Sequence, residues 1–330
     1  MKGRARFFTP IRIVWLAALV LAIILPSFIS SWVLSLMVLA CIWIIVTISM
    51  NLLYGYTGQL SLGHAAFLGI GAYSFALLTV EVGLSYWPAF FVSIAITGVA
   101  GFLIGFPALR VKGPYFVLVT IAFAVIINLI LLAWAEVTKG ANGISGIPRP
   151  PAIPLPFGSE IGFSSQVHMY YLILFFLVLI ALINERLVHS LVGRTFIAIS
   201  WDEELAQSIG VNTMRRKLLS FTISAIYTGI AGVLYASYNS VITPHLAHFI
   251  QGMNSVVYLV VGGAATMAGP FVGTLVMTAV PEALQVLPIL KIAINGFVLL
   301  IFIIFLPTGI VGGFRLLVSR LRRPKHKRMA

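Results

Sequence analysis

Residues 13–50 read IVWLAALVLAIILPSFISSWVLSLMVLACIWIIVTISM, and no Asp, Glu, Lys or Arg occurs anywhere from Ile13 to Val80. A helix rises about 1.5 Å per residue, so about 20 apolar residues cross a hydrocarbon core of about 30 Å. This stretch is therefore long enough for three membrane spans. Its apolar character is continuous rather than alternating, which favours helices over the strands of a barrel.

The whole chain has the composition of an integral membrane protein. Of its 330 residues, 60% are hydrophobic and 9% are charged, whereas soluble domains carry about 25% charged residues. We predict an all-α polytopic membrane protein with about 8 to 10 transmembrane helices, some broken or re-entrant at glycine-rich segments. The clear apolar runs cover residues 13–28, 33–53, 61–80, 87–106, 114–134, 167–183, 218–238 and 292–306.

The net charge of +13 is concentrated near the two ends of the chain. Clusters of Lys and Arg beside membrane spans favour the cytoplasmic side, so we expect both termini there and no nucleic-acid partner. The first apolar run lacks a small-residue cleavage site, which favours a retained span over a signal peptide. The terminal basic residues are Lys2, Arg4, Arg6, Arg12, Arg315, Arg320, Arg322, Arg323, Lys325, Lys327 and Arg328.

The parity of the crossings organises residues 1–330 as one transmembrane domain. Four crossings return the chain to the cytoplasm at Arg110 and Lys112, and two more place a basic loop, residues 185–217, on the same side. The proline-rich loop at residues 135–166 then falls outside, and residues 315–330 form a basic cytoplasmic tail.

The segment from residue 253 to 281 does not fit that parity as a single span, because the basic tail would then lie outside. Two arrangements restore it. Residues 256–261 and 271–280 form a re-entrant pair of half-helices, which gives eight spans and a hairpin. Alternatively, the segment crosses twice with short helices, which gives ten.

The first glycine-rich segment, NLLYGYTGQLSLGHAAFLGIG at residues 51–71, places uncharged polar groups inside a charge-free region. Irregular backbone at membrane depth is tolerated where it is buried in protein or lines a water-filled cavity. Close helix packing would explain the glycines; a translocation pathway would also explain the polar side chains. The candidate pathway residues are Gly58, Gln59, Ser61, Gly63 and His64.

A second glycine-rich break, GGAATMAGPFVG, occupies residues 262–273. A short echo, Phe67-x-Gly69 and Phe271-x-Gly273, hints at two related halves. Paired interrupted helices point to a substrate path near the membrane midplane. The candidates here are Gly262, Gly263, Thr266 and Gly269.

Within the loop at residues 185–217, the stretch GRTFIAISWDEELAQSIGVN (residues 193–212) predicts a short amphipathic helix. Asp202, Glu203 and Glu204 lie near its start, where the helix dipole favours acidic groups, and Gly210 suits the left-handed position that ends it. Such a helix beneath the membrane could dock into a groove of a soluble partner. An ordinary solvated loop is the alternative.

The order of these segments resembles the branched-chain amino acid ABC transporter permease family, in particular its LivM-type subunits. The resemblance covers most of the chain. Its matching blocks are residues 51–71, 109–123, 140–144, 193–221 and 262–273.

The resemblance implies a subunit that forms the translocation pathway for leucine, isoleucine and valine in the bacterial inner membrane. Residues 202–210 would be the coupling loop that contacts a cytoplasmic ATPase, with Glu203, Ala206 and Gly210 on the motif positions. The implied partners are a homologous LivH-type permease, two cytoplasmic ATP-binding subunits, an extracytoplasmic solute-binding protein and membrane lipid.

The chain contains no Gly-x4-Gly-Lys-Ser/Thr phosphate loop, so we expect ATP to be used by a separate subunit. We expect no catalytic, cofactor or metal site, and therefore no enzyme. An ABC permease for urea, short amides or other amino acids stays open. An ion-coupled transporter would usually place ionisable residues within its spans, where this chain has almost none; a passive channel would leave the coupling helix unexplained.

Overall fold

The computed structural model describes residues 8–154, 160–163, 165–283, 296, 300 and 308–314. The predicted tail at residues 315–330 lies outside this part of the chain, as does all of the predicted span at 292–306 except residues 296 and 300. The α-helices are α1 (Phe8–Ile24), α2 (Ser31–Met50), α3 (His64–Ala76), α4 (Tyr86–Ala108), α5 (Pro114–Ala133), α6 (Ala135–Thr138), α7 (Gln166–His189), α8 (Leu191–Trp201), α9 (Glu203–Ser208), α10 (Thr213–Asn239), α11 (Phe249–Gly262) and α12 (Gly269–Ala283).

Six helices in the described part are long and apolar enough to cross a membrane. Two of them include a π-helical turn: Asn51–Tyr56 extends α2, and Leu77–Glu81 extends α3. The all-α polytopic architecture agrees with the sequence, while the total of eight to ten spans stays a prediction. The six are Ser31–Tyr56, His64–Glu81, Tyr86–Ala108, Pro114–Ala133, Gln166–His189 and Thr213–Asn239.

The predicted first span is shorter than the six. It forms α1, with 17 residues, followed by a 3-10 turn at Leu25–Ser27. Pro26 lies within that turn, where its missing N–H ends the regular helix.

Short strands, which the sequence did not predict, occur in the loops. β1 (Ile144–Ser145) pairs antiparallel with β4 (Val241–Ile242), so that Ile144 lies opposite Ile242. β2 (Ile153–Pro154) pairs with β3 (Glu160–Ile161) inside the proline-rich loop. The first pair joins the loop after α6 to the segment that follows α10.

Helix α10 lies at the centre of the fold and packs against α2, α3 and α4. The rings of Phe67 on α3 and Phe221 on α10 meet edge to face with centroids 5.5 Å apart. Phe123 on α5 lies 5.3 Å from the same Phe67 ring. Edge-to-face contacts of this kind stabilise a core by about 0.5–1.5 kcal/mol beyond burial alone.

Candidate functional site

The first glycine-rich segment interrupts the membrane helices, as predicted. The π-helix Asn51–Tyr56 ends, a non-helical stretch follows, and α3 begins only at His64. Gly58 has a φ of +75° and packs on the backbone of Ser200 at the end of α8. This break is therefore in direct contact with the loop for which a coupling role is predicted.

Ser61, Gly63 and His64 are buried, whereas Gln59 is partly exposed. The hydroxyl of Ser61 accepts a hydrogen bond from the backbone nitrogen of Gly63 at 3.2 Å. His64 Nε2 lies 2.6 Å from the hydroxyl of Ser224 on α10. Ser61 precedes α3, so it does not share a helical face with His64. That these groups are accessible to water during transport stays a prediction.

A row of hydroxyls on α10 continues this contact. Ser220, Ser224 and Thr228 follow at intervals of four residues, which places them on one face of the helix. Ser220 lies 2.8 Å from the Thr57 hydroxyl and Thr228 lies 2.7 Å from that of Ser49. Buried hydroxyls need such partners, so the row fixes α10 against α2 and the first break.

The second glycine-rich break separates two short helices, α11 and α12, which are 14 and 15 residues long. Each is therefore about 21–23 Å long, less than the hydrocarbon core of about 30 Å. The helices extend beyond the predicted half-helices at residues 256–261 and 271–280. Residues 284–295, which would distinguish a re-entrant hairpin from two crossings, lie outside the described residues.

The two short helices pack antiparallel at very close range. A side-chain carbon at Gly262 would overlap the backbone of Gly269, so only glycine fits there. The turn between them is held by Thr266, whose hydroxyl donates to the carbonyl oxygen of Gly263 at 2.8 Å and accepts from the backbone nitrogen of Gly269 at 3.0 Å. The four predicted residues of this break thus form one compact turn.

Asn51 connects the two breaks. Its Nδ2 donates to the carbonyl oxygen of Thr266 at 2.9 Å, and its Oδ1 accepts from the backbone nitrogen of Ala265 at 2.9 Å. The side chain is buried, and Ala265 has a φ of +56°, which is uncommon for a residue other than glycine. We refer to these two hydrogen bonds as the Asn51 clamp.

The predicted amphipathic helix forms as two helices, α8 and α9, separated by Asp202. Asp202 Oδ1 accepts from the backbone nitrogens of Glu204 and Leu205, at 2.9 and 3.0 Å, and so caps α9. Gly210 has a φ of +87°, the left-handed conformation predicted from the sequence. Residues 191–201 and 203–208 are helical and so are not an ordinary solvated loop, while the docking role stays a prediction.

Side chains of α9 attach it to the start of α10. Glu203 Oε2 lies 2.5 Å from Lys217 Nζ, and Glu203 Oε1 accepts from the Thr213 hydroxyl at 3.2 Å. The side chain of Lys217 is only 3% exposed, so Glu203 takes the place of water as the partner of its ammonium group. Ala206, also in α9, is buried. Glu204 is exposed to solvent.

Three large apolar side chains are exposed at the end of α8, on α9 and directly after α9. Trp201, Leu205 and Ile209 are 86%, 62% and 71% exposed. They occupy every fourth position of the chain, and we call them the apolar ridge. Exposed apolar surface of this kind, bordered by charged residues, marks interaction sites.

A family model described as "Branched-chain amino acid transport system / permease component" matches residues 32–307. This range includes both glycine-rich breaks, the Asn51 clamp and the apolar ridge. The chain belongs to this permease family. The family resemblance inferred from the sequence is therefore confirmed.

The relatives of this permease include proteins named as branched-chain amino acid transport permeases. It is 31% identical over 312 residues to the high-affinity branched-chain amino acid transport system permease protein LivM of Escherichia coli, covering 89% of this chain and 73% of that protein. The LivM protein of Salmonella typhimurium is 31% identical over 313 residues, 90% of this chain and 74% of that one.

The permease is also similar to proteins named LivH, which are described as permeases of high-affinity branched-chain amino acid transport. LivH of Salmonella typhimurium is 26% identical over 287 residues, covering 81% of this chain and 90% of that protein. No solved structure matches the chain.

Several residues of the candidate site were missed by sequence reasoning. Asn51 was included only as the first letter of a glycine-rich segment, and nothing near it in the sequence indicates a contact with residues 265 and 266. The hydroxyls of Ser220, Ser224 and Thr228 do carry a signal, because polar residues every four positions on an apolar helix indicate a polar face.

Proposed function

We propose that this chain is the permease subunit of an ATP-driven importer and forms part of the translocation pathway for branched-chain amino acids. The observation that carries the proposal is the contact between Gly58 and Ser200. It joins the inner-face helices α8 and α9, with their exposed apolar ridge, to the first interrupted membrane segment. A permease that is powered by a separate ATPase needs a surface to which the ATPase binds. It also needs a contact that connects this surface to the translocation pathway.

In this proposal, the ATPase acts on the permease at the apolar ridge. A cytoplasmic ATPase binds Trp201, Leu205 and Ile209, while Asp202 caps α9 and Glu203 fixes it to Lys217. Motion of α8 then reaches the first break through Ser200 and Gly58. Asp202, Glu203, Glu204, Ala206 and Gly210 act here by shaping the docking helix rather than by any chemistry of their own.

The pathway is formed by the two breaks. Gly58, Gln59, Ser61, Gly63 and His64 belong to the first, and Gly262, Gly263, Thr266 and Gly269 to the second. The Asn51 clamp supports the assignment of both breaks to one pathway, because its hydrogen bonds hold the first break against the second. Helix α10 lines the first break, and its hydroxyls bond to Thr57 and His64 in the conformation described.

The orientation follows from the positive-inside rule. Both termini and the loop at residues 185–217 face the cytoplasm, and the proline-rich loop faces outward. A LivH-type permease, two ATP-binding subunits and an extracytoplasmic solute-binding protein complete the transporter. ATP is bound and hydrolysed by the ATP-binding subunits.

The test is reconstitution of the complete transporter in liposomes with the chain, its second permease, the ATPases and the binding protein. We expect uptake of labelled L-leucine that requires ATP and all subunits. A matched preparation with an ATPase variant unable to hydrolyse ATP should show no accumulation. Accumulation of a solute by the purified chain alone, driven by a proton or sodium gradient, would contradict the proposal.

A further inference from the structure

Asn184, on α7, is a buried polar residue with an unused hydrogen-bond acceptor beside the second glycine-rich break. The residue is only 1% exposed. Its Nδ2 lies 3.8 Å from the Sδ of Met267, which follows Thr266 in the turn between α11 and α12. Within the described part of the chain, its Oδ1 has no hydrogen-bond partner. A buried acceptor without a donor lowers stability, so an asparagine here needs a reason other than the stability of this conformation.

Two asparagines contact the same turn in different ways. Asn51 makes two hydrogen bonds to backbone groups of the turn, at 2.9 Å each. Asn184 contacts only the thioether of Met267, which is a weak acceptor. The turn is therefore firmly attached to the π-helical extension of α2 and only weakly attached to α7. The weak contact is the one that can change while the Asn51 clamp stays intact.

The carboxyl end of α7 is joined to α8 by a tight corner at Ser190. The Ser190 hydroxyl donates to the carbonyl oxygen of Leu187 at 2.6 Å and accepts from the backbone nitrogen of Gly193 at 3.2 Å. A side-chain carbon at Gly193 would overlap the carbonyl oxygens of Leu187 and Val188, so only glycine fits there. Val188 and Phe196 are buried in one hydrophobic core. No flexible linker therefore separates α7 from α8.

Helix α8 is thus connected to both breaks. Its last turn contacts the first break, where Ser200 packs on Gly58. Its first turn follows α7, on which Asn184 lies six residues, or about 9 Å, before Ser190. A displacement of α8 would therefore reach the first break directly and the second break through Asn184.

We infer that Asn184 is a positioning residue for the second break, which exchanges its contact with Met267 for a hydrogen bond from a backbone N–H of the turn during transport. When an ATPase at the apolar ridge displaces α8, α7 moves with it and brings Oδ1 of Asn184 to the turn. The new hydrogen bond is favourable because it satisfies a buried group that has no partner in the conformation described. The inference rests on the proposed function, which it deepens with a second connection from the ridge to the pathway.

The experiment compares Asn184→Leu with the wild type. The new side chain has nearly the same size and removes the unsatisfied acceptor, so the melting temperature of the purified chain in detergent should stay equal or rise by up to about 4 °C. In the complete transporter in liposomes, L-leucine uptake per ATP hydrolysed should nevertheless fall at least about fivefold, the lower end of the usual coupling between two sites. A residue with a purely structural role would change stability and uptake in the same direction.

Two matched variants make the result specific. Thr222→Val removes another buried oxygen that has no partner in the described residues, on the side of α10 that packs against Gly101 of α4. Its uptake per ATP hydrolysed should equal that of the wild type. Met267→Leu removes the sulfur atom and leaves the amide of Asn184 in place, so uptake should stay within about twofold of the wild type.

Hydrogen exchange of the backbone amides at residues 263–269 reports the new contact directly. The complete transporter is compared without nucleotide and with ATP bound to an ATPase variant that cannot hydrolyse it. In the wild type, ATP should slow exchange within the turn about five- to tenfold, as expected for one additional hydrogen bond. In Asn184→Leu, exchange within the turn should be the same in both conditions.

The outcomes separate the inference from the proposed function. Equal uptake per ATP hydrolysed by Asn184→Leu and the wild type overturns the inference and leaves the proposed function intact. A melting temperature that falls together with uptake also overturns it, because the amide would then stabilise the resting fold. Slower exchange of the turn with ATP, in a complex that accumulates no L-leucine, supports the inference while the proposed function fails. If Asn184→Leu does not assemble, Asn184→Ala replaces it with the same uptake and exchange criteria.

Discussion

Asn51 Oδ1 and the backbone nitrogen of Ala265 lie 2.9 Å apart, although 214 residues separate them in the sequence. The same amide donates to the carbonyl oxygen of Thr266, so one side chain satisfies two backbone groups of the turn between α11 and α12. Ala265 adopts a positive φ there. Such conformations cost about 1–3 kcal/mol and persist where the surroundings hold them. The Asn51 clamp is that support.

We expect Asn51→Leu to destabilise the hairpin turn and reduce uptake. The substitution leaves the backbone groups of Ala265 and Thr266 without partners, which costs about 1–3 kcal/mol for each buried group that stays unsatisfied. Thermal unfolding of the purified chain in detergent measures the loss. Ser74→Ala is the control, because the Ser74 hydroxyl bonds only to carbonyl oxygens of its own helix. Equal melting temperatures for Asn51→Leu and the control would show that the clamp contributes nothing.

We expect substitutions in the apolar ridge to uncouple ATP hydrolysis from uptake without unfolding the chain. Leu205→Ala and Ile209→Ala alter exposed side chains, so the free energy of unfolding should change by no more than about 0.5 kcal/mol. ATPase activity and leucine uptake of the complete transporter are measured together. Val241→Ala, an exposed apolar residue away from the ridge, is the matched control for stability. Uptake that stays normal when both ridge residues are replaced would argue against docking there.

We expect Glu203→Gln to destabilise the junction of α9 and α10. Lys217 is almost fully buried and would lose its countercharge, which costs about 1.5–3 kcal/mol for a hydrogen bond to a charged group. Lys217→Met in the same chain removes the charge that is left unpaired, so the double variant should recover part of the loss. A double-mutant cycle on melting temperature measures this coupling. Strictly additive effects would mean that the ion pair is not important for the junction.

Local chemistry explains what the sequence could predict. Acidic residues lie at the start of α9 and Gly210 takes a positive φ, as predicted, because both features depend on neighbouring residues only. The apolar runs likewise predict membrane helices from composition and length. The start of α3 is displaced from residue 61 to His64, since Ser61 and Gly63 form a turn in which the Ser61 hydroxyl takes the place of a helical carbonyl.

Long-range contacts explain what the sequence could not predict. The Asn51 clamp joins residues that no spacing rule relates.

The last prediction decides between pathway and packing for the first break. Cysteines at Gln59 and His64, each in a Cys41→Ser background, are labelled with a polar thiol reagent at rest and during ATP-driven uptake. Gln59 is partly exposed, so Gln59→Cys should be labelled in both conditions. His64 is buried against Ser224, so His64→Cys should be labelled only when transport separates α3 from α10. Ala72→Cys, buried in the same helix away from the break, should stay protected throughout. Resistance at residues 59 and 64 in both conditions would mean that the segment serves helix packing, because a water-filled route for an amino acid would also admit a polar reagent of similar size.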